Sequence, residues 1–210
     1  VDIIFADHAG SDPKSVVRAA KDRNEQQDAR AKKDLDDPFR EVWVVFDTEG
    51  PQNAARQTAA QNAIEQARQL QFNTAVSNPS FEYWYLLHYE YTTKNLADGS
   101  AVIHKLKSHL PDYDKGKNYF SILREKTQDA IANSKKALKD HQPKNHPCDC
   151  HPSTEVIAEL PIGGEERDSE DASRSDNQLI GRIAAKAIGQ ASCFKDNFLR
   201  QLQQLKVGET

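Results

Sequence analysis

Five consecutive apolar residues, Val42, Trp43, Val44, Val45 and Phe46, leave this chain few ways to fold. All are β-branched or aromatic with no polar residue between them, so a strand built from them must be covered on both faces. That is the condition of a central strand in a parallel sheet flanked by helices. The run ends in Asp47-Thr48-Glu49-Gly50, and such sheets place their ligands just beyond the carboxyl ends of the strands. Two carboxylates separated by one residue can leave a strand in the same direction and offer oxygen ligands to a hard cation. Asp47 and Glu49 are therefore the first candidates for metal or acid–base chemistry. The plainer role open to Asp47 is to cap the turn into the next helix.

The flanking segments supply the rest of an α/β unit. Val1 to Phe5 reads as a short strand, and Asp12 as N-cap with Pro13 at the first helical position starts a helix through Val16, Val17 and Ala20. Residues 21–37 are highly charged and read as a solvated helix or loop. After the Gly50-Pro51 break, Ala60, Ala63, Ile64 and Ala67 recur at the spacing of one helical stripe. Gln71 to Ser77 is the third strand candidate. Strands and helices alternating in this order imply right-handed crossovers and a mostly parallel sheet with helices against it.

The stretch SNPSFEYWYLLHYEYTT, residues 77–93, follows at once. Asn78 and Pro79 make a second N-cap and first-turn pair, predicting a helix fed directly by the third strand. Phe81, Trp84, Tyr85 and His88 share one face while Leu86, Leu87 and Tyr89 occupy others, so the helix is apolar nearly all round and belongs in the interior. Glu82 in its first turn needs a partner or the helix dipole. Placed at the same sheet end as Asp47, it becomes a third carboxylate. His88 is a candidate acid–base residue, against the alternative of a hydrogen-bonded core histidine.

Ala101 to Leu110 predicts a short helix, and the loop after it carries Tyr113, Lys115 and Lys117, a lysine pair beside an aromatic ring that suits a phosphate backbone. Tyr119 to Leu138 predicts an amphipathic helix with Leu123, Ala130, Ile131, Ala137 and Leu138 on its apolar side. His141, His146, Cys148, Cys150 and His151 then crowd together. Their Cys-x-Cys spacing is tighter than a zinc knuckle and lacks a second paired half, so a loop before a helix over STEVIAEL is the favoured reading. Gly163 to Gln178 is acidic and reads as a linker. Beyond it, the stripes Ile180, Ile183, Ala184, Ala187, Ile188 and Phe194, Phe198, Leu202, Leu205 predict two amphipathic helices. These either return to the core or bind another subunit, a second copy of the chain included.

The 210 residues, 37% of them hydrophobic, suffice for one domain with an appendage. A net charge of −4 gives no global basic field, so nucleic-acid binding has to use a local patch. No apolar run approaches membrane-spanning length and no signal peptide is visible, which predicts a soluble, cytoplasmic protein. Three cysteines make no disulfide framework. Methionine is absent and Val1 opens a strand, which suggests a preceding element. No glycine-rich phosphate loop with Lys and Ser or Thr is present, so the chain is not itself a P-loop ATPase.

Taken together, VWVVFDTEG, SNPSFEYWYLLHYEYTT, the Tyr113 and Lys115 pair, and HPSTEV resemble the RloB family from about Val1 to about Leu160. That family accompanies an ATPase partner in bacterial phage-defence loci. The resemblance implies a three-layer, Toprim or Rossmann-like α/β domain over 1–160 whose first strand lies upstream, an acidic linker over 161–178 and a helical C-terminal extension over 179–210. Toprim chemistry uses a glutamate after the first strand and an Asp-x-Asp after a later one. The second element maps onto Asp47 and Glu49, with Glu in place of the second Asp, and the first has no counterpart here. The implied activity is Mg²⁺- or Mn²⁺-dependent phosphodiester hydrolysis, on RNA rather than DNA. Asp47 and Glu49 would hold metal, Glu82 and His88 would join them in catalysis, and Lys115, Ser77 and Asn78 would bind substrate. The alternative is a non-catalytic sensor or regulatory subunit of the ATPase.

Overall fold

The computed structural model describes residues 3–4, 12–141, 147–155 and 183–187. The acidic linker, the helix expected over Phe194 to Leu205, and His146 lie outside them.

The chain runs β1 (Ile3–Ile4), α1 (Pro13–Ala31), β2 (Glu41–Asp47), α2 (Ala54–Gln69), β3 (Asn73–Asn78), α3 (Glu82–Leu87), α4 (Gly99–Leu106), α5 (Phe120–Leu123), α6 (Thr127–Asp140), β4 (Ser153–Thr154) and β5 (Ile183–Ala187). The sheet order is β1-β5-β2-β3-β4. The first four strands in that order are mutually parallel, and β4 is antiparallel to β3. This is a mixed α/β fold with a small open sheet, as the sequence predicts.

The two faces of β2 explain why its apolar run does not alternate with polar residues. Val42, Val44 and Phe46 pack with Val16, Val17 and Ala20 of α1 and Ala60, Ala63, Ile64 and Ala67 of α2. Trp43 and Val45 point the other way, into a core shared with α3, α4, α5 and α6. Asp12 caps α1 by accepting from the amide of Ser15, with Pro13 in the first turn, and the four predicted residues of α2 are its buried ones.

Four expectations are corrected. Asn78 does not cap a helix. It ends β3, its side-chain amide donates to the carbonyl of Cys148, and its Oδ1 accepts from His151 Nδ1, so α3 starts four residues later without a side-chain cap. The helix expected over Tyr119 to Leu138 is divided into α5, a 3₁₀ turn over Arg124–Lys126 and α6. Ser153 and Thr154, expected to open a helix, pair with Asn78 and Ser77 as β4, because the buried hydroxyls of Ser77 and Thr154 and the backbone groups at the end of β3 need partners. Ile183 to Ala187 fits a helical stripe but forms β5 between β1 and β2. One β-branched residue and three alanines have weak preferences, and the open backbone groups of the long strand β2 outweigh them.

Gly50 closes the turn beyond β2 in the left-handed region, with φ +91°. A Cβ there would stand 2.5 Å from the carbonyl oxygen of Ala97 and 3.2 Å from Pro79 Cβ. Gly50→Ala is therefore expected to destabilise the domain by roughly 2–3 kcal/mol, through backbone strain and steric overlap together. Urea denaturation followed by circular dichroism measures it, and a change within about 0.5 kcal/mol would contradict this packing.

Candidate functional site

At the carboxyl end of β2, Asp47 lies beside β3 in register with Ser77. Its side chain is only partly exposed, and Oδ1 is wholly buried without a hydrogen-bond partner. The backbone amide of Phe81 donates to the carboxylate. Burial, and then the charge of Glu82, push the Asp47 carboxyl up from its ordinary 3.8 to about 8, against the opposing pull of the Phe81 amide, Lys115 and Arg56. A carboxyl group held this way keeps its proton near neutrality unless a cation displaces it.

Glu82 is the neighbouring acid, close enough for its charge to act on Asp47. It is 6% exposed, in the first turn of α3. Its Oε1 accepts from the Tyr113 hydroxyl at 3.2 Å and pairs with Lys115 Nζ at 3.1 Å. Tyr113 is buried and its own pKa is raised, by burial first and then by the charge of Glu82, so it remains a donor. Lys115 is 62% exposed, so the ion pair is a modest stabiliser. Its position matters more, since it brings a positive charge from solvent to Glu82 and Asp47.

Glu49 goes elsewhere. β2 stops at Asp47, and Glu49 takes φ +65°, which ends the alternation that would have sent both side chains one way. Its carboxylate pairs with Arg56 at 3.4 Å and accepts from Asn53 Nδ2 at 3.0 Å. Among the described residues no three His, Cys, Asp or Glu side chains gather where they could hold one metal ion together. That covers Asp47, Glu49 and Glu82 together, as well as His141, Cys148, Cys150 and His151.

The remaining candidates sit in structural networks. Ser77 and Thr154 share a hydrogen bond of 2.8 Å between their hydroxyls, and Asn78 ties β3 to Cys148 and His151. His88 is 2% exposed and packs edge-on to Trp84. Its Nδ1 lies 2.9 Å from the Trp84 carbonyl, which can only accept, so Nδ1 carries the proton. Nε2 is buried without a partner. Six residues separate His88 from Glu82, about 9 Å along a helix, and the charges acting on it are those of Lys126 and Asp129.

Burial depresses the His88 imidazole from its ordinary 6.5 to about 4, with Lys126 adding to the effect and the Trp84 carbonyl opposing it. The unfolded chain takes up this proton first as pH falls, so the stability from a neutral His88 is complete above about pH 6.5, declines toward pH 4 and levels off below. A wild-type loss of roughly 3 kcal/mol across that window is expected from this residue. His88→Leu is expected to flatten it, read as urea midpoints at several pH values. Parallel curves for the two proteins would place the acid sensitivity elsewhere.

Arg56 is the member of the site to which the sequence alone assigns no role. Arg56 has one detectable signal: a basic residue in the first turn of a helix opposes the dipole and calls for a nearby acid.

The model of one protein family, described as RloB-like protein, matches residues 2–160. No curated protein and no solved structure matches the chain.

Proposed function

This chain belongs to the RloB-like family, and from that membership and the site at Asp47 we propose that it is a metal-dependent phosphodiester hydrolase of the Toprim type. In this reading it acts on RNA in preference to DNA, in the cytoplasm, as the effector of an anti-phage system with an ATPase partner. No helix among the described residues is long and apolar enough to cross a membrane.

The observation that carries the reading is the buried, unpartnered Oδ1 of Asp47 beside the carboxylate of Glu82. Buried acids that repel one another are costly unless something positive joins them. Mg²⁺ commonly uses one or two carboxylates and takes its other oxygens from water and substrate phosphate, so Asp47 and Glu82 suffice as its protein ligands. A bound Mg²⁺ or Mn²⁺ would supply Lewis-acid stabilisation and a more acidic water.

The chain's own residues supply the remainder. Lys115, already on Glu82, would meet a non-bridging phosphate oxygen and stabilise charge that builds there. Tyr113 holds Glu82 in place through its hydroxyl. Glu49 would serve only after leaving Arg56. That ion pair is also the observation favouring the second reading, a regulatory subunit of the ATPase in which the acids bind a cation without turnover.

The test is cleavage of labelled RNA and single-stranded DNA with Mg²⁺, Mn²⁺ or chelator, for wild type and Asp47→Ala, with and without the ATPase. Metal-dependent cleavage lost in the variant supports the hydrolase. No cleavage, with the ATPase rate changed equally by both proteins, supports the regulatory subunit.

A further inference from the structure

Residues 94–139 carry ten lysines and arginines against five aspartates and glutamates, whereas the rest of the chain carries eighteen against twenty-seven. The acidic net charge thus hides a basic stretch of sequence. The basic stretch comprises α4, α5 and α6 and the loops joining them, all packed on the Trp43 face of the sheet. Nine of its ten basic side chains are exposed, and the half-buried Lys105 pairs with Glu90.

The segment between α4 and α5 is fixed although it lacks regular structure. The Tyr119 hydroxyl accepts from the Asp114 amide at 2.6 Å and donates to the Asp112 carbonyl at 3.0 Å. The Asp114 carboxylate turns back to accept from the Gly116 amide, and Tyr113 and Tyr119 are buried anchors with ring centres 5.2 Å apart. The loop therefore presents Lys115 and Lys117 from a set framework, and Lys115 touches Glu82. Lys107 at the end of α4 and Arg124 after α5 extend the positive charge along the chain, and between them Ile122 is 54% exposed. Exposed positive charge on a fixed loop, with an exposed apolar side chain in the same stretch of chain, suits a strand that offers phosphates and, intermittently, the face of a base.

We propose that the exposed surface formed by Lys107, Lys115, Lys117 and Arg124, with Ile122, receives the backbone of a single-stranded RNA and leads it to Asp47 and Glu82. This rests on the hydrolase reading for what happens at the end of the track, though binding itself does not require it. The surface recognises charge spacing rather than sequence, so it carries affinity and its salt dependence.

The test is fluorescence anisotropy of a labelled single-stranded RNA in chelator, where cleavage plays no part, over a range of salt concentrations. The variant reverses Lys107, Lys117 and Arg124 to Glu. The control reverses Lys32, Lys33 and Arg40, equally exposed but at the amino end of β2. The first variant is expected to weaken binding at least about tenfold and to reduce the slope of log affinity against log salt by about 2, at roughly 0.7 for each phosphate that is no longer neutralised. The control is expected to bind like wild type. No RNA binding by wild type, an unchanged first variant, or equal losses in both variants would each overturn the proposal, as would tighter binding of duplex than of single strand. Circular dichroism confirms that both variants fold. Should Asp47→Ala still cleave RNA while the charge reversal abolishes binding, the hydrolase site is wrong and the surface stands. The opposite pair of results leaves the site and removes the surface.

Discussion

Asp47→Asn is expected to abolish stabilisation by Mg²⁺ and, in its absence, to make the protein more stable than wild type at alkaline pH. Both effects follow from one buried carboxyl group whose pKa is raised from 3.8 to about 8 by burial and by Glu82. Between those values the folded protein holds a proton that the unfolded chain has released, so wild-type stability falls as pH rises from about 4 to about 8 and levels off above. Asparagine keeps the shape without the charge and removes that decline. The side chain is partly exposed, which discounts the penalty to roughly 1–3 kcal/mol.

A divalent cation reverses the penalty because it requires the ionised form. Its affinity is expected to rise up to about tenfold per pH unit as Asp47 ionises and to become flat above about pH 8. Thermal unfolding with millimolar Mg²⁺ should thus show a large shift in wild type near pH 8.5, a small one near pH 6 and none in the variant. A variant that responds to Mg²⁺ as wild type does would remove Asp47 from the site, whatever its effect on cleavage.

The sequence makes β2 and its surroundings legible because burial there is written in residue type. Five apolar residues need two covers, and the stripes of α1 and α2 supply one of them. The all-round apolar character of residues 81–87 likewise places α3 in the interior and Glu82 at the sheet end. The partner of Asp47 is harder to read, since the spacing of Asp47 and Glu49 assumes that the strand continues. It ends two residues too soon, and a left-handed Glu49 turns to Arg56 instead. β5 is not legible because Ile183 to Ala187 carries no strong preference, and its conformation is set by the unpaired edge it meets. Asn78 and Pro79 form a sound helix-start pair locally, but Asn78 is committed to Cys148 and His151, partners 70 and 73 residues away that no local pattern reveals.

Trp84→Ala is expected to be the most damaging change outside the site, at about 3–5 kcal/mol, the usual cost of removing a buried tryptophan. Trp84 is fully buried among Trp43 and Val45 of β2, Val102 and Leu106 of α4, and Leu123 and Ala130 beyond them. In a domain whose net stability is about 5–15 kcal/mol, that loss leaves a substantial unfolded fraction. The consequence reaches the site because α3 has six residues and no side-chain cap, too little to persist as a helix without its packing. Glu82 opens that helix, so its approach to Asp47 depends on the tryptophan two residues on. Trp84→Phe keeps most of the volume and is expected to cost about 1–2 kcal/mol, whereas Ile122→Ala, at a side chain 54% exposed, should stay within about 0.5 kcal/mol. Urea midpoints order the three variants. In Trp84→Phe, the Mg²⁺ response at alkaline pH should weaken in step with the loosening of α3, since Glu82 is positioned by packing and not by its own helix. A Trp84→Ala protein within about 1 kcal/mol of wild type would mean that α3 is held by its ends, through Phe81 on Asp47 and Asn133 on the Leu87 carbonyl, rather than by its core.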